Sequence, residues 1–362
     1  MQRRHFLALM ASSGLLAGGT TPAQQPADSG KPGLAEPAID VHTHWYPPQW
    51  MDLLAREGPA NNARVEILNE TESIVTVSGV RQSVRIEHVD LGLRLKAMDV
   101  MGVGMQALSL TSPMVYWAPP AFGMKLAQTY NDALSAAHLK NPRRFIGLMT
   151  LPMQAPALAL EELERAATLP GIRGVYIATH INNKNLDDPS FLPLYARCEA
   201  LGLPLLLHPI DPLGASRMRN WYLRNFIGNP TDTGVAAASL IFGGVMDAFP
   251  KLEVVLPHAG GITPILIGRW DHGSGVRPET KHMRQSPSSY LRRFHYDTVS
   301  HSPQIMADII RQVGADRVVL GSDHPADMSL ERPLDFVGRI PGLSPHERGL
   351  ILNGNASRLL KT

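Results

Sequence analysis

Eight short apolar runs, each followed by a stretch with helical spacing, constrain this chain more than any other feature. The runs are AIDVHTH, GMQALSLT, RFIGLMTL, IRGVYIAT, LPLLLHP, LEVVLPH, FHYDTV and DRVVLGSD. They are almost continuously apolar, the pattern of strands covered on both faces. Between them, stretches such as GMKLAQTYNDALSAAHLKN, ALALEELERAATL and SPQIMADIIRQVG repeat apolar residues at helical intervals. Alternation of this kind builds a parallel sheet. Eight repeats within residues 37–362 predict a closed (β/α)8 TIM barrel. The competing architecture, an open doubly wound sheet, needs a glycine-rich phosphate loop after an early strand, and neither GxGxxG nor GxxxxGK[ST] occurs. The largest insertion follows the first strand. Within it, SIVTVSGVRQSVRIEHV places two β-branched runs around Ser78-Gly79 and predicts a β-hairpin, a flap beside the barrel mouth.

Residues 1–23 belong to a different kind of segment. Arg3 and Arg4 precede Phe6-Leu7 and a short apolar run rich in small residues, the pattern of a twin-arginine export signal cut after Ala23. The run is too short to span a bilayer, so no stable membrane insertion is expected after cleavage, and a periplasmic or secreted protein follows. Residues 24–36, QQPADSGKPGLAE, read as a flexible linker. The formal charge of +2 falls to 0 once the two signal arginines are removed. With no Lys/Arg run left, nucleic acid is excluded as a partner. The single cysteine, Cys198, rules out an internal disulfide and reads as a core residue in the helical stretch PLYARCEALG.

The polar residues gather where a barrel builds its active site, at the C-terminal ends of the strands. The first run ends in His42-Thr43-His44. Residues two apart on a strand share a face, so both imidazoles can converge on one ion. The fifth run presents His208, the sixth His258 and the eighth Asp323. Any one of these alone would read as a hydrogen-bonding residue. Together, in that order at strand ends, they predict a site for one divalent metal, and the N/O donor set suits zinc, with manganese or another divalent ion as the alternative.

Having reached these residues, the chain resembles the amidohydrolase superfamily in its amidohydrolase-2 branch, and within it the aminocarboxymuconate-semialdehyde decarboxylases. The resemblance runs from about Ile39 to Leu360. It is carried by IDVHTH, KAMDVMGVGMQALS, PRRFIGLMTLPMQAP, YWAPP, HPID, FGGVMDAFPKLEVVLPHAGG and VVLGSDHP. It implies that His42, His44, His208 and Asp323 ligate one zinc together with a water, and that His258 and Asp323 carry catalysis, His258 as the general acid/base. It also implies that Arg269 grips a substrate carboxylate in the neighbouring subunit's site, and hence a homodimer. The fourth strand ends in Ala178-Thr179-His180 without a lysine, which speaks against a binuclear site bridged by a carbamylated lysine.

The substrate walls depart from that pattern. Ile210 stands where the HPWD pattern has tryptophan, Asn225 matches a second tryptophan, and His324 and Ala326 replace aromatics near Asp323. An ungapped match puts Gln82 at the flap arginine, with Arg81 and Arg85 beside it; we assign Arg81 to substrate binding. Asp297 and His180 read as loop residues, and His301 as a residue near the ligands. The Trp45-Tyr46 and Tyr116-Trp117 pairs read equally as pocket or core. The functional expectation is a decarboxylase of a small unsaturated or aromatic carboxylate, with a metal-dependent hydrolase of an amide, ester or lactone as the alternative and a non-enzymatic metal-binding protein as the third reading.

Overall fold

A computed structural model describes residues 36–362. The export signal and all of the linker except Glu36 lie outside the described residues. The strands, in chain order, are β1 (Ala38–His44), β2 (Ala63–Ile67), β3 (Glu72–Val77), β4 (Val80–Arg85), β5 (Val103–Ser109), β6 (Phe145–Met149), β7 (Ile172–Ala178), β8 (His180–Ile181), β9 (Lys184–Asn185), β10 (Leu205–His208), β11 (Val254–Leu256), β12 (Phe294–Asp297) and β13 (Val318–Val319). Eight of them form one sheet in the order β1-β5-β6-β7-β10-β11-β12-β13, and the pairs are parallel. The barrel closes beyond the short β13. Val41 N–H donates to the Leu320 carbonyl at 2.9 Å, Asp323 N–H to the His42 carbonyl at 2.8 Å, and His44 N–H to the His324 carbonyl at 2.8 Å.

These strands match the eight apolar runs, and the reason is burial. Every residue of β1, β6 and β10 is buried, because helices cover one face and the barrel interior the other. Each fully buried leucine or valine contributes roughly 1.5–3 kcal/mol relative to exposure, so such runs are strongly specified. The helices start on chemistry visible in the sequence. The Asp90 side chain accepts the Leu93 N–H at 2.8 Å to cap helix Leu91–Met101, and Ser302 caps Pro303–Val313 in the same way.

The insertion after β1 is a three-stranded antiparallel sheet, β2-β3-β4. β3 and β4 turn through Ser78 and Gly79, both with positive φ (48° and 85°), which matches the right-handed strand twist. The sequence reading missed β2. Its sequence, ARVEI, is short and mostly exposed, so it lacks the apolar run that marks the barrel strands. Trp45, Tyr46 and Tyr116 are buried in the core and are not on the lining of the cavity over the strand ends, which favours core packing for three of the four paired aromatics. Cys198 is also buried in the core, and burial pushes its thiol up to about 12. Among the described residues no helix is long and apolar enough to cross a membrane.

Candidate active site and metal centre

The barrel's C-terminal end brings His42, His44, His208 and Asp323 together, with one donor atom from each within 4.8 Å of all the others. All four are buried. Each imidazole has its Nδ1 engaged from behind. His42 Nδ1 donates to Asp297 Oδ2 at 2.6 Å, and His208 Nδ1 lies 3.3 Å from Thr111 Oγ1. Ser109 Oγ donates to the Thr43 carbonyl at 2.7 Å and lies 3.4 Å from His44 Nδ1. That leaves three Nε2 atoms facing the centre, the arrangement in which an outer partner fixes the tautomer of a ligating histidine. His44 Nε2 is 2.8 Å and His42 Nε2 3.3 Å from Asp323 Oδ1, and the buried His42 Nε2 has no hydrogen-bond partner. A buried, unpartnered nitrogen in an N/O cluster of this size fits a divalent metal.

The ends of the strands are held in unusual backbone. Asp323 has φ of 65°, and His258 and Ala259, just beyond β11, have φ of 53° and 55°. Non-glycine residues rarely adopt this conformation, and it persists where neighbours enforce it. Asp40 supplies one brace, accepting from Ser322 N–H at 3.0 Å and Ser322 Oγ at 2.5 Å. Asp297 supplies another: its Oδ1 accepts the Ala259 N–H at 2.8 Å while its Oδ2 holds His42. Asp297 is therefore more than the loop residue read from sequence, since one carboxylate orients an imidazole of the cluster and braces the turn that presents His258. His258 Nε2 stands 4.0 Å from Asp323 Oδ2, at the edge of the cluster.

Charge coupling is strong in so small a volume. For His42, burial opposes the charged form, but Asp323 and Asp297 outweigh it and push the imidazole up to about 9. Burial lowers His44 and carries His208 well below the ordinary histidine range. Burial, helped by His42, brings His258 down to about 4. Burial works against the Asp323 carboxylate too, yet His42 and His44 hold it well below the usual carboxylate range. One ligand of four thus carries a displaceable proton at neutral pH. Since the raised His42 stays protonated until the pH passes about 9, metal binding at pH 7 is expected to release about one proton. Affinity should then rise roughly tenfold per pH unit from about 7 to about 9 and level off above. Titration calorimetry in buffers of different ionisation enthalpy reads this directly; binding without proton release at pH 7 would refute it.

A cavity of about 460 Å³ opens over the cluster. Its floor includes His44, His208, His258 and Asp323. The flap contributes Arg81 and Arg85, and the segment after β10 contributes Tyr222, Arg224 and Asn225. No tryptophan or phenylalanine lines it. Arg81 is half-exposed, 3.8 Å from Glu66, and Arg85 donates to the Pro325 carbonyl at 2.6 Å. Arg269 is exposed on helix Thr263–Val276 and lines no part of this cavity within its own chain. His180, bonded to the Asp211 carbonyl at 2.8 Å, also stands outside it, as does the exposed His301. His324, next to Asp323, is not on this lining either. Sequence reasoning missed Ser109, Thr111, His88 and Arg224. Only the clustering of polar residues at the end of GMQALSLT pointed toward the first two.

The amidohydrolase family model (Amidohydro_2) matches residues 39–362, and the chain belongs to that family. Its relatives include the 2-amino-3-carboxymuconate-6-semialdehyde decarboxylase of Dictyostelium discoideum, 32% identical over 326 residues that cover 89% of this chain and 91% of the relative. Among solved structures, 5-carboxyvanillate decarboxylase from Sphingomonas paucimobilis superimposes with a TM-score of 0.78 at 27% identity, covering 90% of this chain and 99% of that one. A dihydroxybenzoic acid decarboxylase from a Polaromonas species, solved with bound manganese and an inhibitor, shares the fold at a TM-score of 0.73 and 24% identity, covering 90% of this chain and 97% of that one.

Proposed function

We propose that this chain is a metal-dependent, non-oxidative carboxy-lyase acting on a small unsaturated or aromatic carboxylate. The observation that carries the proposal is the cluster itself, with three imidazoles held by their Nδ1 atoms, the Asp323 carboxylate among them, and His258 at their edge under an arginine-rimmed cavity. His42, His44, His208 and Asp323 would hold the ion. A divalent ion there supplies Lewis-acid charge that stabilises negative charge developing on the substrate. The chain's own residues do the rest. Arg81 offers a planar fork that orients a carboxylate. His258, neutral in the free site, takes up a proton and hands it to the carbon that loses CO₂. The C–C bond breaks with its electron pair left on that carbon, the proton replaces the carboxylate, and the net change is R–COO⁻ plus H⁺ to R–H plus CO₂.

The test is CO₂ release by the metal-loaded protein from a panel of ortho-hydroxy and ortho-amino unsaturated acids. Release is expected from at least one member. Silence across the panel, with an oxygen from labelled water appearing in the product of an amide or lactone, would replace the lyase with a hydrolase.

Three further readings accompany this proposal. Zinc is the native ion, because three imidazoles and one carboxylate suit it. The chain pairs as a homodimer, supported by an exposed apolar surface. Ile265 and Arg269 stand one helical turn apart and both face solvent, and Trp221 and Phe226 are exposed on the segment after β10. Export to the periplasm rests on Arg3-Arg4 and the apolar run behind them. Elemental analysis, sedimentation equilibrium and N-terminal sequencing of the recovered protein test these in turn. Manganese in place of zinc, a monomer's mass, or retention of residues 1–23 would refute them.

A further inference from the structure

We infer that Arg224 is a specificity residue, gripping a second anionic group of the substrate at the side of the site away from the flap. The inference rests on the carboxy-lyase reading of the same cavity and adds to it the class of acid: a dicarboxylate, or a monocarboxylate bearing another ionised group.

The flap grows from the loop after β1, the first barrel strand, and Arg224 from the loop after β10, the fifth in sheet order. In a closed eight-stranded barrel these loops stand half a circumference apart, with the metal cluster between them. The cavity therefore has arginines on two opposed sides, Arg81 and Arg85 on one and Arg224 on the other, with the Asp323 and Asp327 carboxylates also on its lining. A single substrate carboxylate needs one of those two sides.

Next comes the state of the Arg224 guanidinium. It occupies a π-helical turn, Arg224–Gly228, that directs it toward the cavity. Nη2 makes all its hydrogen bonds, to the Ile210 carbonyl at 2.6 Å and to Asp211 Oδ1 at 3.1 Å. Nε and Nη1 make none. An arginine carries five N–H donors in one plane, so three remain for a ligand, in a fork already oriented by its anchor. Beside it stand Asn225 and Asn229, which add amide donors. The apolar surface on this wall is Pro209, Ile210 and the Tyr222 ring, so an uncharged substituent placed against the guanidinium and the two amides would leave those polar groups unpaired. The plainer role, bracing the Ile210–Asp211 loop, uses Nη2 alone and gives no reason for the guanidinium to line the cavity.

Titration calorimetry of the metal-loaded full-length protein with isophthalate and with benzoate separates the two roles, because neither probe needs to react. Isophthalate is expected to bind about 10- to 100-fold more tightly, the span of one charge-assisted contact. Arg224→Gln should erase that preference, and Arg224→Lys should restore part of it. Metal content and circular dichroism of each variant establish that it is folded. Equal affinity for the two acids in the unaltered protein, no binding of either, or a preference that survives in Arg224→Gln would overturn the inference. CO₂ release from the acid panel is recorded in parallel. Binding as expected with no CO₂ from any acid defeats the lyase reading and leaves the Arg224 grip standing. CO₂ release without a preference for the doubly charged acid defeats the grip alone.

Discussion

Alanine at His208 is expected to remove both metal and turnover while leaving the barrel folded. His208 closes β10, and its imidazole is one of four donors within 4.8 Å of one another. Removing it leaves His42, His44 and Asp323, two of which come from one strand, so the ion loses the ligand supplied from the opposite side of the barrel. The loss of affinity should exceed the roughly 10- to 100-fold that follows from losing a partner behind a ligand. Cavity creation adds a modest stability cost, because His208 packs against Tyr176 with ring centroids 5.9 Å apart. Yet burying that imidazole without its ion is itself unfavourable: desolvation holds it well below the ordinary histidine range. The metal-free variant should therefore lose little melting temperature relative to metal-free parent protein. Metal content by elemental analysis, CO₂ release and thermal melts are the three readings. Full metal occupancy in His208→Ala would remove this residue from the ligand set.

How far such a site can be read from sequence depends on which interactions leave a local trace. The eight barrel strands do, because burial on both faces demands continuous apolar runs, and GMQALSLT or RFIGLMTL can hardly be anything else. The four residues of the cluster do too, since His42 and His44 sit two apart at a strand end and His208 and Asp323 recur at the ends of later strands. What leaves no trace is the layer behind them. Asp297 meets His42 across 255 residues of chain, and Ser109 meets His44 across 65. Serine and aspartate at strand ends look like ordinary turn residues until the barrel closes. Arg224 is hidden for a different reason: its value lies in a π-helical turn, and the sequence RNFIG carries no signal for one. Arg269 shows the limit in the other direction. It stood out by resemblance, and a single chain leaves it exposed on its helix, so any role at a site requires a second copy.

The sharpest distinction between a metal-binding protein and an enzyme falls on His258→Ala. His258 contributes no donor to the four-residue cluster, so the variant is expected to keep its metal. Its Nε2 nevertheless stands 4.0 Å from Asp323 Oδ2 and faces the cavity that Arg81 and Arg224 rim. The chain also spends unusual backbone to place it there, with φ of 53° braced through Asp297. A positioned acid/base contributes about 10²- to 10⁴-fold, and CO₂ release should fall by that factor while substrate affinity changes little, because the proposed grip on the carboxylate comes from arginines rather than from His258. The loss should appear in kcat with KM nearly constant. His258→Gln, which keeps a polar side chain of similar reach but cannot shuttle a proton at neutral pH, should be as inactive as the alanine variant. If the role were only to support the turn after β11, glutamine would recover part of the rate and the metal content would drop in step with activity. Retained metal with a kcat loss in both variants assigns the proton to His258; recovery by glutamine would move the acid/base role elsewhere in the cavity, with His88 the remaining neutral imidazole on its lining.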